Sequence, residues 1–231
     1  MPKLAKLKPE HQDQLFYLVK PLVWIYYLLI KTNCINCNIK TANANCLCST
    51  CYLELNVTPE FQLKHHQKIY YACLYDDLIR SLLISYKFNH HINLCILLAN
   101  LAIQIINYFN LTPQYLVFIP SNNIRYIKKG FNHNLEICTI IAKKLGITLI
   151  PNYFIKTKYT KPQSSLPKSK RQHNLSKSFA INKQYANLTY SNLLVFDDIM
   201  TTGSTFKIIN KLIKKSKSNY CFICIAASSD T

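Results

Sequence analysis

Apolar residues along this chain change their period once. In "YDDLIRSLLISYKF" (Tyr75–Phe88) and "INLCILLANLAIQIINYF" (Ile92–Phe109) they recur at three- and four-residue spacings. That is the repeat of a helix with one buried face, so residues 65–110 are read as helical. Asp76 and Asp77 suit the positive end of such a helix. Beyond Gln114 the pattern turns to short apolar runs alternating with amphipathic stretches. "YLVFIP" (Tyr115–Pro120), "ITLI" (Ile147–Ile150), "YFIKT" (Tyr153–Thr157), "NLLVFD" (Asn192–Asp197) and "YCFICIA" (Tyr220–Ala226) read as strands. Between them, "NLEICTIIAKKLG" and "TFKIINKLIKKS" read as helices, the first with Gly146 as its C-cap. Strands alternating with helices predict an α/β domain with a largely parallel sheet. Residues 157–176 are polar and basic, with two prolines, and predict an exposed mobile loop.

The first third follows other rules. "LFYLVKPLVWIYYLLI" (Leu15–Ile30) is strongly apolar, but Lys20 and Pro21 split it. The clean run falls short of the ~20 residues that cross a bilayer, so no transmembrane segment is expected. No small-residue cleavage site follows it. The segment is read as a buried or docking helix, with a role on a membrane surface as the lesser alternative. The predicted organisation is an apolar helix and tail over 1–30, a cysteine knuckle over 31–55, a helical segment over 56–110 and the α/β domain over 111–231.

Charge adds a class of partner. Lysine and arginine total 28 against 10 aspartates and glutamates, a net charge of +18, and no acid stands between Glu136 and Asp197. A field of this sign attracts a phosphorylated small molecule or a nucleic acid. An equal alternative is AT-rich coding, since lysine, isoleucine, asparagine and tyrosine are all abundant. Ten cysteines without an export signal point to a reducing, cytoplasmic setting.

Four cysteines form two pairs, Cys34-x2-Cys37 and Cys48-x2-Cys51, separated by ten residues. Each pair can grip one side of a tetrahedral ion through thiolates, which predicts a structural Zn2+. A segment this short cannot bury a core, so the metal would supply its folding energy. Cys46 offers a substitute ligand, and a thiol–disulfide pair or unligated cysteines are the alternatives. Four thiolates leave no open position for catalysis. Cys221-x2-Cys224 lies in a predicted strand, where residues three apart face opposite sides, so core cysteines are expected there. Cys73, Cys95 and Cys138 read as small buried residues.

The stretch "LLVFDDIMTTGST" (Leu193–Thr205) carries the most chemistry. An apolar strand delivers Asp197 and Asp198 to the edge of the sheet where α/β folds bind ligands. Thr201, Thr202, Gly203, Ser204 and Thr205 then form a tight turn into a helix. Backbone N–H groups and hydroxyls in such a turn can cradle a phosphate. The aspartates can accept from sugar hydroxyls, directly or through a divalent cation. A helix cap alone would account for Thr201 or Ser204 but not for the whole run. The Gly-x4-Gly-Lys phosphate loop is absent.

"VFDDIMTTGST" resembles the phosphoribosyl-pyrophosphate signature of type I phosphoribosyltransferases, and the chain is similar to the ComF family. The two CxxC pairs resemble that family's zinc element. "YDDLIRSLLISYKF" resembles its helix ending in Lys-Phe, here Lys87-Phe88. "FIPSNNIRYIKKGFNHN" resembles its strand, loop and Arg…Gly-Phe-Asn segment, with Arg125, Gly130, Phe131 and Asn132. "TKYTKPQSSLPKSKRQHNLSKSF" resembles its mobile loop, with Thr160, Gln163, Leu166, Arg171, Asn174 and Phe179 at matching spacings. Together these cover residues 34–226.

The resemblance implies an α/β fold of the type I phosphoribosyltransferase kind, with a largely parallel sheet flanked by helices behind an N-terminal four-cysteine knuckle and helical segment. It implies that Asp197 and Asp198 bind ribose hydroxyls with Mg2+ and that Thr201–Thr205 hold the 5′-phosphate. Ser121, Asn122 and Asn123 would form the pyrophosphate loop. Arg125, Lys128 and Lys129 would line the same side, and Lys158, Lys161 and Arg171 on the mobile loop would close over the pyrophosphate. The Ser-Asn-Asn loop and Lys129, where family members usually have arginine, depart from the pattern. Thr201 stands where purine enzymes have an aspartate base, which argues against purine salvage. The implied role is DNA uptake in natural competence, with phosphoribosyl pyrophosphate or a related ribose phosphate as ligand, and single-stranded DNA and other competence proteins as partners. Tyr126, Tyr153 and Tyr159 are the tyrosines proposed to suit nucleic acid. The alternative is an active glycosyltransferase that displaces pyrophosphate at the anomeric carbon toward an unknown acceptor. His65, His66, His90, His91, His133 and His173 are read as surface residues.

Overall fold

The computed structural model describes residues 33–41, 46–89, 92–120, 132–157, 178–216 and 218–229. The chain divides into two compact units, Met1–Glu54 and Leu55–Thr231. In the described part of the first unit, Asn33 and Lys40 form an antiparallel bridge, and a six-residue helix α1 spans Ser49–Glu54. The apolar segment Leu15–Ile30 lies outside the described residues.

The second unit begins with the strands β1 (Glu60–Lys64) and β2 (Gln67–Leu74), followed by helices α2 (Asp77–Asn89) and α3 (Ile92–Tyr108). Next come β3 (Tyr115–Phe118), α4 (His133–Leu145), β4 (Thr148–Leu149), β5 (Phe154–Lys156) and β6 (Phe179–Ile181). The strand β7 (Leu193–Met200), helix α5 (Ser204–Lys214) and strand β8 (Tyr220–Ala227) complete it. Six strands form one sheet in the order β1-β2-β8-β7-β3-β4. The β1–β2 pair is antiparallel and every other pair is parallel. This is the largely parallel α/β sheet that the alternating pattern predicts.

β7 explains why its sequence runs apolar without alternating. Leu193, Leu194, Val195 and Phe196 are all fully buried, because both faces of this central strand are covered. On one face Val195 and Phe222 pack with Phe206, Ile209 and Ile213 of α5. On the other, α3 packs against β2 and β8, and α4 against β3 and β7. Predicted caps hold at both ends of helices. Asp76 accepts from the Ile79 N–H at 2.8 Å, and Gly146 ends α4 in the left-handed conformation.

Three expectations need correction. The span 56–110 is not all helical, since β1 and β2 form a hairpin before α2. Its turn is His65-His66, both at positive φ (54° and 62°). That is the geometry of a tight hairpin turn usually signalled by Asn-Gly, so no turn signal marked it. "YFIKT" forms β5, but β5 pairs only with β6 in a separate two-stranded sheet. His133 is buried, not on the surface: its Nε2 donates to the Lys87 carbonyl at 2.9 Å, and its own carbonyl accepts from Tyr86 Oη at 2.9 Å. No helix among the described residues is long and apolar enough to cross a membrane.

Candidate functional site

The site grows from a difference between the two sides of β7. Its ladder with β3 ends at Phe118↔Phe196, while its ladder with β8 continues to Met200↔Ala227. Asp197 and Asp198 therefore lie within the strand rather than after it, at the point where one neighbour has departed. Adjacent strand residues point to opposite sides, so the two carboxylates meet different partners. Asp198 forms an ion pair with Lys87, from the last turn of α2. Asp197 Oδ1 accepts from Asn134 Nδ2 at 3.2 Å and from the Asp198 N–H at 3.0 Å. Asn134, buried in the first turn of α4, also donates to the Ile119 carbonyl at 3.0 Å.

These contacts set the charges. Asp197 is half-buried, and burial, followed by the neighbouring Asp198 charge, pushes its carboxyl well above the usual range; the Asp198 N–H, Lys87 and Asn134 oppose this only in part. Burial works against the Lys87 ammonium, but Asp198 outweighs it and holds the group above its ordinary value. Burial lowers Lys156 to about 8, with Asp197 pulling the other way. Lys156 Nζ also lies 5.5 Å over the ring of Phe179.

The turn that follows has the predicted form. Gly203 caps α5 at φ 69°, a left-handed conformation that suits glycine. It offers no side chain to the first-turn N–H groups of α5. Thr201 and Thr202 are exposed, and Thr202 Oγ1 lies 2.7 Å from Ser204 Oγ. Phe206 anchors the helix edge-on against Phe222. The β1–β2 hairpin reaches this turn. A Cβ at Gly203 would lie 3.7 Å from Lys64 Cγ and 4.0 Å from His65 Nε2, and Asn210 Nδ2 donates to the His65 carbonyl at 3.3 Å.

Sequence reasoning missed the roles of Lys87, Asn134, Lys64 and Lys156. Lys87 and Asn134 fall inside quoted segments, but nothing local says that they meet the aspartates. Ser121, Asn122, Asn123, Arg125, Lys128, Lys129, Lys158, Lys161 and Arg171 lie outside the described residues, as do Tyr126 and Tyr159. Tyr153 is 1% exposed, so it is a core residue and cannot stack on a base. The cation expected beside the aspartates meets a poor donor set. Asp198 already faces an ammonium, and Asp197 resists ionisation.

In the first unit, the Sγ atoms of Cys34, Cys37, Cys48 and Cys51 all lie within 4.8 Å of one another. The Cys37–Cys48 separation is 3.6 Å. A tetrahedron built on Zn–S bonds of ~2.3 Å has edges of about 3.8 Å, so these four sulfurs could hold one ion. Asn36 Nδ2 donates to Cys51 Sγ at 3.3 Å, which favours the thiolate, but burial and the neighbouring Cys48, Cys37 and Cys34 side chains outweigh it and push that thiol up to about 12. Burial raises Cys34, but N–H groups of Cys37, Cys48 and Asn36 outweigh it and bring the thiol down to about 6. Cys46 is outside the group, and its burial pushes the thiol up to about 11.

No family model matches the chain. Competence protein F of Haemophilus influenzae is 27% identical over 103 residues, 45% of each protein, so that match spans less than half of the relative's length. The DNA utilization protein YhgH of Salmonella typhimurium is 23% identical over 188 residues, 79% of this chain and 78% of that protein. YhgH of Escherichia coli is 22% identical over 191 residues, 80% and 79% respectively. Among solved structures, adenine phosphoribosyltransferase from Saccharomyces cerevisiae is 16% identical, covering 77% of this chain and 90% of that one at a TM-score of 0.38. The enzyme from Leishmania tarentolae is 10% identical, covering 77% and 87% at 0.40. The curated relatives support the resemblance to the ComF family.

Proposed function

We propose that this protein binds phosphoribosyl pyrophosphate or a related ribose phosphate at the end of β7 and serves DNA uptake in the cytoplasm, with a structural zinc in its cysteine knuckle. One observation carries the reading: a single strand–turn–helix runs from Asp197 and Asp198 through Thr201 and Thr202 to a left-handed Gly203 at the start of α5. The carboxylates accept from the ribose hydroxyls, and the turn takes the 5′-phosphate. Asn134 and Lys87 hold the carboxylates in place. Calorimetry with phosphoribosyl pyrophosphate tests this: wild type binds and the Asp197→Asn/Asp198→Asn variant does not. Absence of binding to wild type sinks the reading. Pyrophosphate release against a panel of acceptors would separate a transferase from a protein that binds its ligand without turnover.

The DNA arm has its own support. The relatives are named for competence and DNA utilization. Phe61 is 43% exposed, with Lys68 Nζ 4.7 Å over its ring. Tyr70 and Phe109 lie beside it at centroid distances of 6.0 and 6.2 Å. An exposed ring beside a cation, backed by two half-buried aromatics, suits the bases and phosphates of a single strand. Binding of labelled oligodeoxythymidine is expected to weaken steeply with salt and to drop in Phe61→Ala. Binding indifferent to both would remove this arm.

A further inference from the structure

We propose that Lys87 is the resident cation of the aspartate pair. Its ammonium holds the place on Asp198 that a divalent metal would otherwise fill, so a ribose phosphate binds through these carboxylates without magnesium. This rests on the ribose-phosphate reading above.

Lys87 is not a loose surface chain that happens to meet an acid. Its side chain is 26% exposed and that of Asp198 is 15% exposed. Its helix is tied to α4 by two hydrogen bonds, one of them to the Lys87 carbonyl itself. His133 Nε2 donates to the Lys87 carbonyl at 2.9 Å, and Tyr86 Oη donates back to the His133 carbonyl at 2.9 Å. The Tyr86 and His133 rings pack edge to face, with centroids 5.3 Å apart. Both residues are buried. The ammonium therefore comes from a rigid frame that ties α2 to α4, the helix that also supplies Asn134 to Asp197.

Charge and geometry then disfavour a metal. Magnesium needs near-octahedral oxygen ligands and dehydrates reluctantly. Asp198 is already neutralised by Lys87, and Asp197 Oδ1 is occupied by two N–H donors. An ammonium carries three donors, so pairing with Asp198 leaves hydrogen-bonding capacity for a ribose hydroxyl.

Ribose 5-phosphate is the probe, because it lacks the pyrophosphate that would bring magnesium with it. The zinc-loaded full chain is titrated calorimetrically in magnesium-free buffer and with added magnesium. Wild-type affinity is expected to be the same in both. Lys87→Gln is expected to lose about tenfold without magnesium, the size of a charge-assisted contact, with partial recovery when magnesium is added and fuller retention in Lys87→Arg. Wild-type binding that requires magnesium, or Lys87→Gln binding like wild type without it, overturns the proposal. A second readout needs no sugar: Mn2+ binding followed by electron paramagnetic resonance. No site is expected in wild type, and one is expected to appear in Lys87→Gln. A wild-type Mn2+ site lost in Asp198→Asn overturns the proposal. If ribose 5-phosphate does not bind at all, the pocket reading fails, and the manganese experiment still decides the role of Lys87.

Discussion

Asn134, 63 residues earlier in the chain, donates to Asp197 at 3.2 Å from the first turn of α4, and the same amide holds the Ile119 carbonyl just past the end of β3. One buried side chain thus closes the gap left where β3 and β7 part. Replacing it with leucine leaves a carbonyl and a carboxylate short of donors. The expected cost is about 1–3 kcal/mol of stability, read from urea unfolding. Ribose-phosphate affinity should fall with it, whereas Asn134→Asp should fall further, because it sets a third carboxyl against the pair.

Asp197 should cost the ligand-free protein stability at neutral pH. Its folded pKa lies well above 3.8. The folded state then binds more protons than the unfolded state over the window between those values. Its favourable contribution is complete below about 3.8 and is lost as pH rises through the folded value. Asp197→Asn, which keeps an oxygen acceptor, is expected to melt higher than wild type at pH 7, with the difference shrinking toward pH 4. It should also lose ribose-phosphate binding. An Asp197→Asn variant that melts lower at pH 7 would contradict this assignment.

Gly203 should resist substitution through its backbone rather than through crowding. A Cβ there meets nothing closer than 3.7 Å, but φ is 69°. Left-handed backbone costs a non-glycine residue roughly 1–2 kcal/mol. Gly203→Val should therefore lower the melting temperature and weaken phosphate binding. Gly203→Asn should do less of both, since asparagine tolerates this region. Thermal melts with and without ribose 5-phosphate separate the two effects.

The knuckle makes a stoichiometric prediction. About one zinc per chain is expected, because four sulfurs converge on one point. Cys37→Ser should lose it. Cys46→Ser should keep it, since that buried thiol stands outside the group. Metal analysis of the purified variants reads this directly, and zinc retained by Cys37→Ser but lost by Cys46→Ser would reassign the fourth ligand.

The chemistry read in the sequence was legible because it is local. Two CxxC pairs bring their own spacing. Asp197, Asp198 and the Thr201–Thr205 turn occupy one continuous strand, turn and helix, and the apolar run before them marks a strand covered on both faces. The β1–β2 hairpin was hidden because a His-His pair makes its turn, and tyrosines shared by helix and strand give no clear period.

The types of candidate donor, the cysteine set and the α/β class are readable from the chain alone, since each follows from neighbours in it. Which distant groups meet those donors is set by packing between elements. Lys87, Asn134 and Lys64 come from three separate elements, and no periodicity places them. Their arrival depends on the strand order β2-β8-β7-β3 and on the helices packed over it. Burial there also shifts the protons, because a carboxylate's charge state depends on what surrounds it in space, not in sequence.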